Sequence, residues 1–166
     1  GRPVEIDFTF RGKWGKPVDS AILAPDYPQT QPIRFVSSAM TIGGWTPRVS
    51  SLTIDCGNQI ELREDSTDAT GYISAVIVDR RVKGTVNPEA TVLTDRANYT
   101  IWQDLTEGIL SVVLGTVGNK LTWTAPKLQV TQIKEGDRNK IQTDEIEFQC
   151  NRSADAGDNE LTILVE

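Results

Sequence analysis

The sequence predicts a mainly β fold, an antiparallel sandwich or barrel of about ten strands with one short flanking helix. Three observations lead there. Short apolar runs, alternating or continuous, recur along the chain between clusters of Gly, Pro, Asn and Asp. Only one segment changes to a helical period. At 166 residues the chain is large enough to bury one core without metal or disulfide support, so residues 1–166 are read as a single domain.

The elements follow in order. Val4, Ile6, Phe8 and Phe10 alternate with Glu5, Asp7 and Thr9, which makes residues 4 to 10 the clearest strand, wet on one face and dry on the other. Residues 25 to 32, PDYPQTQP, hold three prolines and form a loop between strands at 17 to 24 and 33 to 42. Gly43 and Gly44 break the second of these. Leu52 to Cys56 and Ile60 to Leu62 are short strands around the turn Gly57-Asn58. Tyr72 to Val78 is nearly continuous apolar sequence and is expected to be central, covered on both faces. Val82, Gly84 and Val86 continue the pattern to Pro88. In TDRANYTIWQDLTEG, Ile101, Trp102 and Leu105 share one helical stripe, with Asp95 as cap and Gly108 as stop, so a helix is placed over 96 to 107. Strands resume at 109 to 115, 120 to 125, 127 to 134, 140 to 150 and 160 to 165, separated by TVGN, Pro126, EGDRN and NRSADAGDN.

Composition narrows the function classes. With 17 basic and 23 acidic residues the formal charge is −6, which opposes non-specific attraction to nucleic acid or anionic lipid. No apolar run reaches the length of a bilayer span, and no membrane partner is expected. The sequence contains no histidine, which removes Ser-His-Asp and Cys-His catalysis, histidine metal sites and the usual general base near neutral pH. Serine-elbow, P-loop and dinucleotide-binding motifs are absent as well. Neither an enzymatic activity nor a metal or other cofactor is expected. The first residue is Gly1, and Met40, the only methionine, is internal, so the chain is expected to be a fragment of a longer one.

Several residues merit weighing. Glu145 and Glu147 sit two apart on a strand, about 7 Å from each other, a spacing that suits an acid–base pair but that any wet strand face also carries. Thr143 and Gln149 extend the same polar row, and we read it as solvent-facing. DAGDNE, 155 to 160, offers oxygen ligands without the spacing of a calcium loop and is read as a polar turn. NYT, 98 to 100, is a formal glycosylation acceptor inside the expected helix and is treated as chance. Cys56 and Cys150 each end an apolar alternation and are expected to be buried thiols, with a disulfide open if their strands are neighbours. Trp123 alternates with Leu121 and is assigned to the core. Trp45 lies between Gly43-Gly44 and Pro47, where an indole serves either as a protein contact or as a lid over the core. Residues 57 to 71 form a projecting hairpin or loop. Arg63, Glu64, Asp65 and Asp68 there are too polar to be buried unpaired, and they meet either solvent or a neighbouring subunit.

The segments DCGNQIELREDSTDATGYISAVIVDRR (55 to 81), NPEA (87 to 90), the helix with Trp102, GNKLTWTAPKLQVTQIKEGDRN (118 to 139) and NRSADAGDNELTI (151 to 163) occur in an order that resembles tail tube proteins of long-tailed bacteriophages. The resemblance spans roughly residues 50 to 166 and is to members of about twice this length, whose carboxy-terminal half this chain would be. It implies a β-sandwich subunit whose inner sheets join edge to edge around a ring, either of six domains or of three double-domain chains. The rings stack into a virion tail tube that carries DNA without binding it specifically and meets other tail proteins. Assembly from protein made in the bacterial host cytoplasm is implied too. On that reading Trp45, Arg63, Glu64, Asp65 and Asp68 are interface candidates, with Arg63 best suited to a bidentate pair, and Glu145 and Glu147 are lumen candidates. The rival class is a non-enzymatic β-sandwich binding or adhesion module, against which stand sparse aromatics, 7% of residues, with no planar row for sugar stacking.

Overall fold

Nine strands and one helix form in the computed structural model, which describes residues 2–26, 31–36, 38–154 and 157–166. The strands are β1 (Ala39–Ile42), β2 (Val49–Asp55), β3 (Asn58–Glu64), β4 (Tyr72–Arg80), β5 (Lys83–Pro88), β6 (Glu107–Thr116), β7 (Asn119–Arg138), β8 (Ile141–Cys150) and β9 (Thr162–Val165). Helix α1 (Asn98–Gln103) lies between β5 and β6. Seven strands make one antiparallel sheet in the order β1-β6-β7-β8-β5-β2, with β9 on β7, and it curls into a half-barrel. β3 and β4 pair with each other as a separate two-stranded sheet.

Alternation along β6, β7 and β8 builds the core. Leu110, Val112 and Leu114 of β6, Leu121, Ala125, Leu128 and Val130 of β7, and Ile146 and Phe148 of β8 all turn to the dry face, joined by Met40 and Val86. Gly84 of β5 is required beneath Phe148: a Cβ there would sit 2.4 Å from the Thr53 carbonyl oxygen and 2.5 Å from the Phe148 ring. The core therefore closes over a glycine.

The strands predicted at 120 to 125 and 127 to 134 are one long strand, because Pro126 falls in a bulge. Gly108 faces Leu128 and Leu110 faces Ala125, so β7 carries one extra residue at Pro126-Lys127, where a missing N–H costs no ladder bond. The first half of β7 pairs with β9 and the second with β8. A second bulge places Thr131 between Val130 and Gln132, which face Phe148 and Glu147. The Thr131 carbonyl is thereby released from the ladder and accepts a hydrogen bond from Trp102 Nε1, 2.9 Å. This bond and a buried Asn98–Asp144 bond, 3.1 Å, dock α1 on the sheet.

Several expectations are corrected. Residues 4 to 10 and 17 to 24 are not strands: the amino-terminal segment has no regular structure and, among the described residues, pairs only through a bridge between Pro3 and Arg34. Alternation suits a strand, but a strand needs a backbone ladder, and none forms along these residues with any other described one. The run predicted at 33 to 42 shortens to β1. Tyr72 to Val78 is not central, since β4 pairs with β3 alone among the described residues and exposes Ile73, Ile77 and Val78. Helix α1 spans six residues rather than 96 to 107. Asp95 does not cap it, as the N-cap is Ala97 without a side-chain bond, and Leu105 leaves the helix with φ of 52° and its side chain exposed. Gly108 belongs to β6. Ile101 and Trp102 do pack on the core as their stripe predicts, and Trp123 packs against it half-buried.

Of the two thiols, Cys150 is buried and Cys56 is exposed, and both are free. Asp55 faces Lys83 and Lys83 faces Gln149, so β5 separates the two strands. Two strand spacings put them about 10 Å apart, beyond disulfide reach. Burial, with Cys56 as a lesser influence, pushes the Cys150 thiol up to about 11.

Candidate assembly surface

The charged excursion between β3 and β4 is a hairpin, and its acids divide into two kinds. Asp65 accepts hydrogen bonds from Thr67 N, 2.8 Å, and Thr67 Oγ1, 2.7 Å; Asp68 accepts from Thr70 N, 2.9 Å, and Thr70 Oγ1, 2.7 Å. Each carboxylate builds a tight local turn. Lys13 also binds Asp68 at 2.5 Å. The Thr67 bonds hold the Asp65 carboxyl below its usual range, and the Lys13 and Thr70 bonds hold that of Asp68 well below it. Arg63 and Glu64, opposite Ser74 and Tyr72, are exposed and make no ion pair among the described residues. The sequence brought the four residues to one loop, but two shape the turn and two are left for solvent or a partner.

Trp45 closes a two-glycine turn. Gly43 and Gly44 have φ of 55° and 80°, and Ile42 and Trp45 exchange backbone bonds of 2.8 and 3.0 Å across them. Such a turn needs positive φ twice, which glycine allows at least cost. Trp45 is half-buried, and the Arg96 guanidinium lies over its ring at 4.9 Å from the centroid. The corner is thus a cation–π pair at the end of an edge strand.

The polar face of the large sheet is more ordered than its sequence suggests. Glu107, Gln129, Gln149, Lys83 and Asp55 face one another in turn across β6, β7, β8, β5 and β2. Gln149 Nε2 donates to Gln129 Oε1, 3.1 Å, and Asn151 Nδ2 donates to Glu107 Oε1, 2.8 Å. Lys127 pairs with Glu107 at 3.3 Å and Lys134 with Glu147 at 2.9 Å. Glu145 and Glu147 do share this face, but Lys134 offsets one of them, and Thr143 in the same row is buried rather than wet. No sequence signal marked Glu107, Gln129 or Asn151, because their alignment depends on pairings between distant strands.

Asp158 and Glu160 of the carboxy-terminal turn bind Arg80 Nη2 at 2.6 and 2.7 Å, while Asp155 lies outside the described residues. Asn98 of the NYT triplet is buried against Asp144, out of reach of a glycan. No metal-binding cluster occurs among the described residues, and no helix there is long and apolar enough to cross a membrane. The outermost strands of the large sheet, β1 and β2, each pair on one side only among those residues.

The antiparallel half-barrel has counterparts among solved structures. It is similar to a chain of the sheath–tube complex of an extracellular contractile injection system, PVC, in its extended state. The TM-score is 0.59 at 11% identity, over 81% of this chain and 93% of that one. It is also similar to the tube-terminating cap of the anti-feeding prophage, with a TM-score of 0.60 at 15% identity, over 89% of this chain and 100% of that one. At these identities the likeness is one of fold. No protein-family model and no curated protein matches the sequence.

Proposed function

We propose that this chain is a non-catalytic structural subunit of a phage-tail-like tube, joining copies of itself through sheet edges into rings that stack. The observation that carries this reading is the half-barrel whose outer strands, β1 and β2, each pair on one side only among the described residues, in a fold similar to a chain of a tube complex and to a tube cap. An open edge is an aggregation liability in a monomer and becomes a specific contact when a ring closes. The sequence resemblance to tail tube proteins supports the same reading independently.

In finer detail, the rings hold six such domains, or three double-domain chains, and contact other tail proteins. The polar ladder lines the bore, with Glu145 facing it beside the Lys134–Glu147 pair. A bore of near-balanced charge on a chain of net charge −6 gives phosphate no basic track to hold, so DNA slides rather than binds. The half-buried Trp45–Arg96 pair and the exposed Arg63 and Glu64 sit at corners where neighbouring copies meet; Asp65 and Asp68 shape the turn of the hairpin that carries Arg63 and Glu64. The test is electron microscopy of the purified chain at high concentration. Stacked tubes of uniform diameter are expected, and dispersed monomers throughout would refute the proposal. The likeness over the full length of a tube-terminating cap favours a second reading, whose signature is single rings that never stack.

A further inference from the structure

Val4 packs against the margin of the core, and residues 5–26 beyond it form an arm that adds no buried residue to its own chain. Its base is fixed by Val4 N to the Ile33 carbonyl, 2.8 Å, and Phe35 N to the Arg2 carbonyl, 2.9 Å. Beyond it, Phe8 and Phe10 stack at 6.0 Å between ring centroids, as neighbours on one side of an extended chain do, and they are 72% and 87% exposed. An exposed apolar segment of this kind marks an interaction site. The β3–β4 hairpin has the converse need. A two-stranded ribbon is marginal in water without a third strand or a covering layer, and β4 leaves Ile73 and Ile77 bare on one face with its outer edge unpaired among the described residues.

We propose that residues 5–10 of one copy add as a third strand to the free edge of β4 in the hairpin of a second copy, laying Phe8 and Phe10 over the side of β4 that leaves Ile73 and Ile77 exposed. Strand addition suits a segment in strict alternation: backbone bonds give affinity and alternate side chains give register. The occupant is a second copy because the arm's own hairpin is engaged from the other side. Arg11 Nη1 reaches the Ile60 carbonyl of β3 at 3.3 Å and Lys13 reaches Asp68 at the turn, so the arm lies along β3, and β4's outer edge faces away from it. An arm and a receptor on every copy make a head-to-tail contact, the kind that gives a ring where the rotation between copies closes. The inference rests on the self-assembly reading above.

The test uses two full-length chains in a Cys56→Ser background, one tagged for size. One carries Asp7→Cys or Thr9→Cys; the other carries Ser74→Cys, Val76→Cys or Val78→Cys. An arm-to-hairpin disulfide between the new cysteines then forms only between copies. On mild oxidation at assembling concentration, heterodimers are expected, and the best β4 position shifts by two residues when the arm cysteine shifts by two. Rings without heterodimers, or heterodimers indifferent to register, would overturn strand addition while leaving self-assembly standing; absence of any oligomer would overturn both. As a second variant, Phe8→Asp with Phe10→Asp should leave the circular dichroism and melting of the monomer unchanged and raise the concentration needed for assembly at least about tenfold. Unchanged assembly of that variant would overturn the inference as well.

Discussion

Strands β4 and β6 carry nearly interchangeable sequences, YISAVIV and ILSVVL, and meet opposite fates. Leu110, Val112 and Leu114 of β6 are 0%, 0% and 1% exposed, whereas Ile73, Ile77 and Val78 of β4 are 47%, 56% and 56% exposed. β6 lies between β1 and β7 over the core; β4 has one neighbour, β3, among the described residues. A β-branched run therefore specifies a strand and leaves open how many layers cover it. The same holds between the large sheet, whose apolar face is satisfied internally, and the arm and hairpin, whose apolar face is offered outward. Burial of that second face, at about 25 cal/mol per Å², is stabilisation still available to a partner.

The contrast is broken most directly at one phenylalanine from each region. Phe148→Ala should destabilise the monomer by about 3 to 5 kcal/mol in denaturant titrations, while Phe8→Ala should stay within about 0.5 kcal/mol of wild type. Equal losses would mean that the arm belongs to the folding core. Next in size is Trp102→Ala, expected to cost about 2 to 3 kcal/mol because the indole is only partly buried against the core, with Trp102→Phe losing the bond to Thr131 and part of the ring contact, about 1 to 2 kcal/mol. A melting temperature unaffected by either change would remove α1 from the folded unit.

Smaller effects sharpen the comparison. In the native protein at pH 8, alkylation should modify Cys56 and spare Cys150, whose thiol is pushed up to about 11 by burial and labels only on unfolding. Simultaneous labelling of both would place Cys150 outside the core. The smallest effect is at Asp68. Its folded carboxyl lies below the unfolded value of 3.8, so its contribution is present above that pH and is lost as pH falls through the folded value. The Thr70 amide shift should accordingly hold through pH 4 and move only well below 3.8. A midpoint at or above 3.8 would show that the Lys13 and Thr70 bonds are not kept in solution.

What could be read from the sequence was whatever depends on near neighbours along the chain. The alternations of β6, β7 and β8, the change of period at Ile101 and Trp102, and the hairpin at 57 to 71 are of this kind. Asp65 and Asp68 were placed on that hairpin but not in their turns with Thr67 and Thr70, which depend on local geometry finer than charge. The arm misled because alternation at 4 to 10 is a property of the segment, whereas strand pairing is a property of two. Gln149 was placed on a polar strand face, but its row with Glu107, Gln129, Lys83 and Asp55 was not legible, because a row across five strands is set by register between residues far apart in sequence. The same distance hid the Thr131 bulge that receives Trp102.

The division of labour between the folded sheet and the outward-facing arm and hairpin is tested most directly by sedimentation velocity over a wide concentration range. Wild type and the Phe8→Asp, Phe10→Asp double variant are run side by side. Wild type is expected to pass from monomer to a discrete ring-sized species, and the variant to remain monomeric with the same monomer sedimentation coefficient. Wild type that stays monomeric at every concentration, or a variant that assembles as readily, would contradict the account.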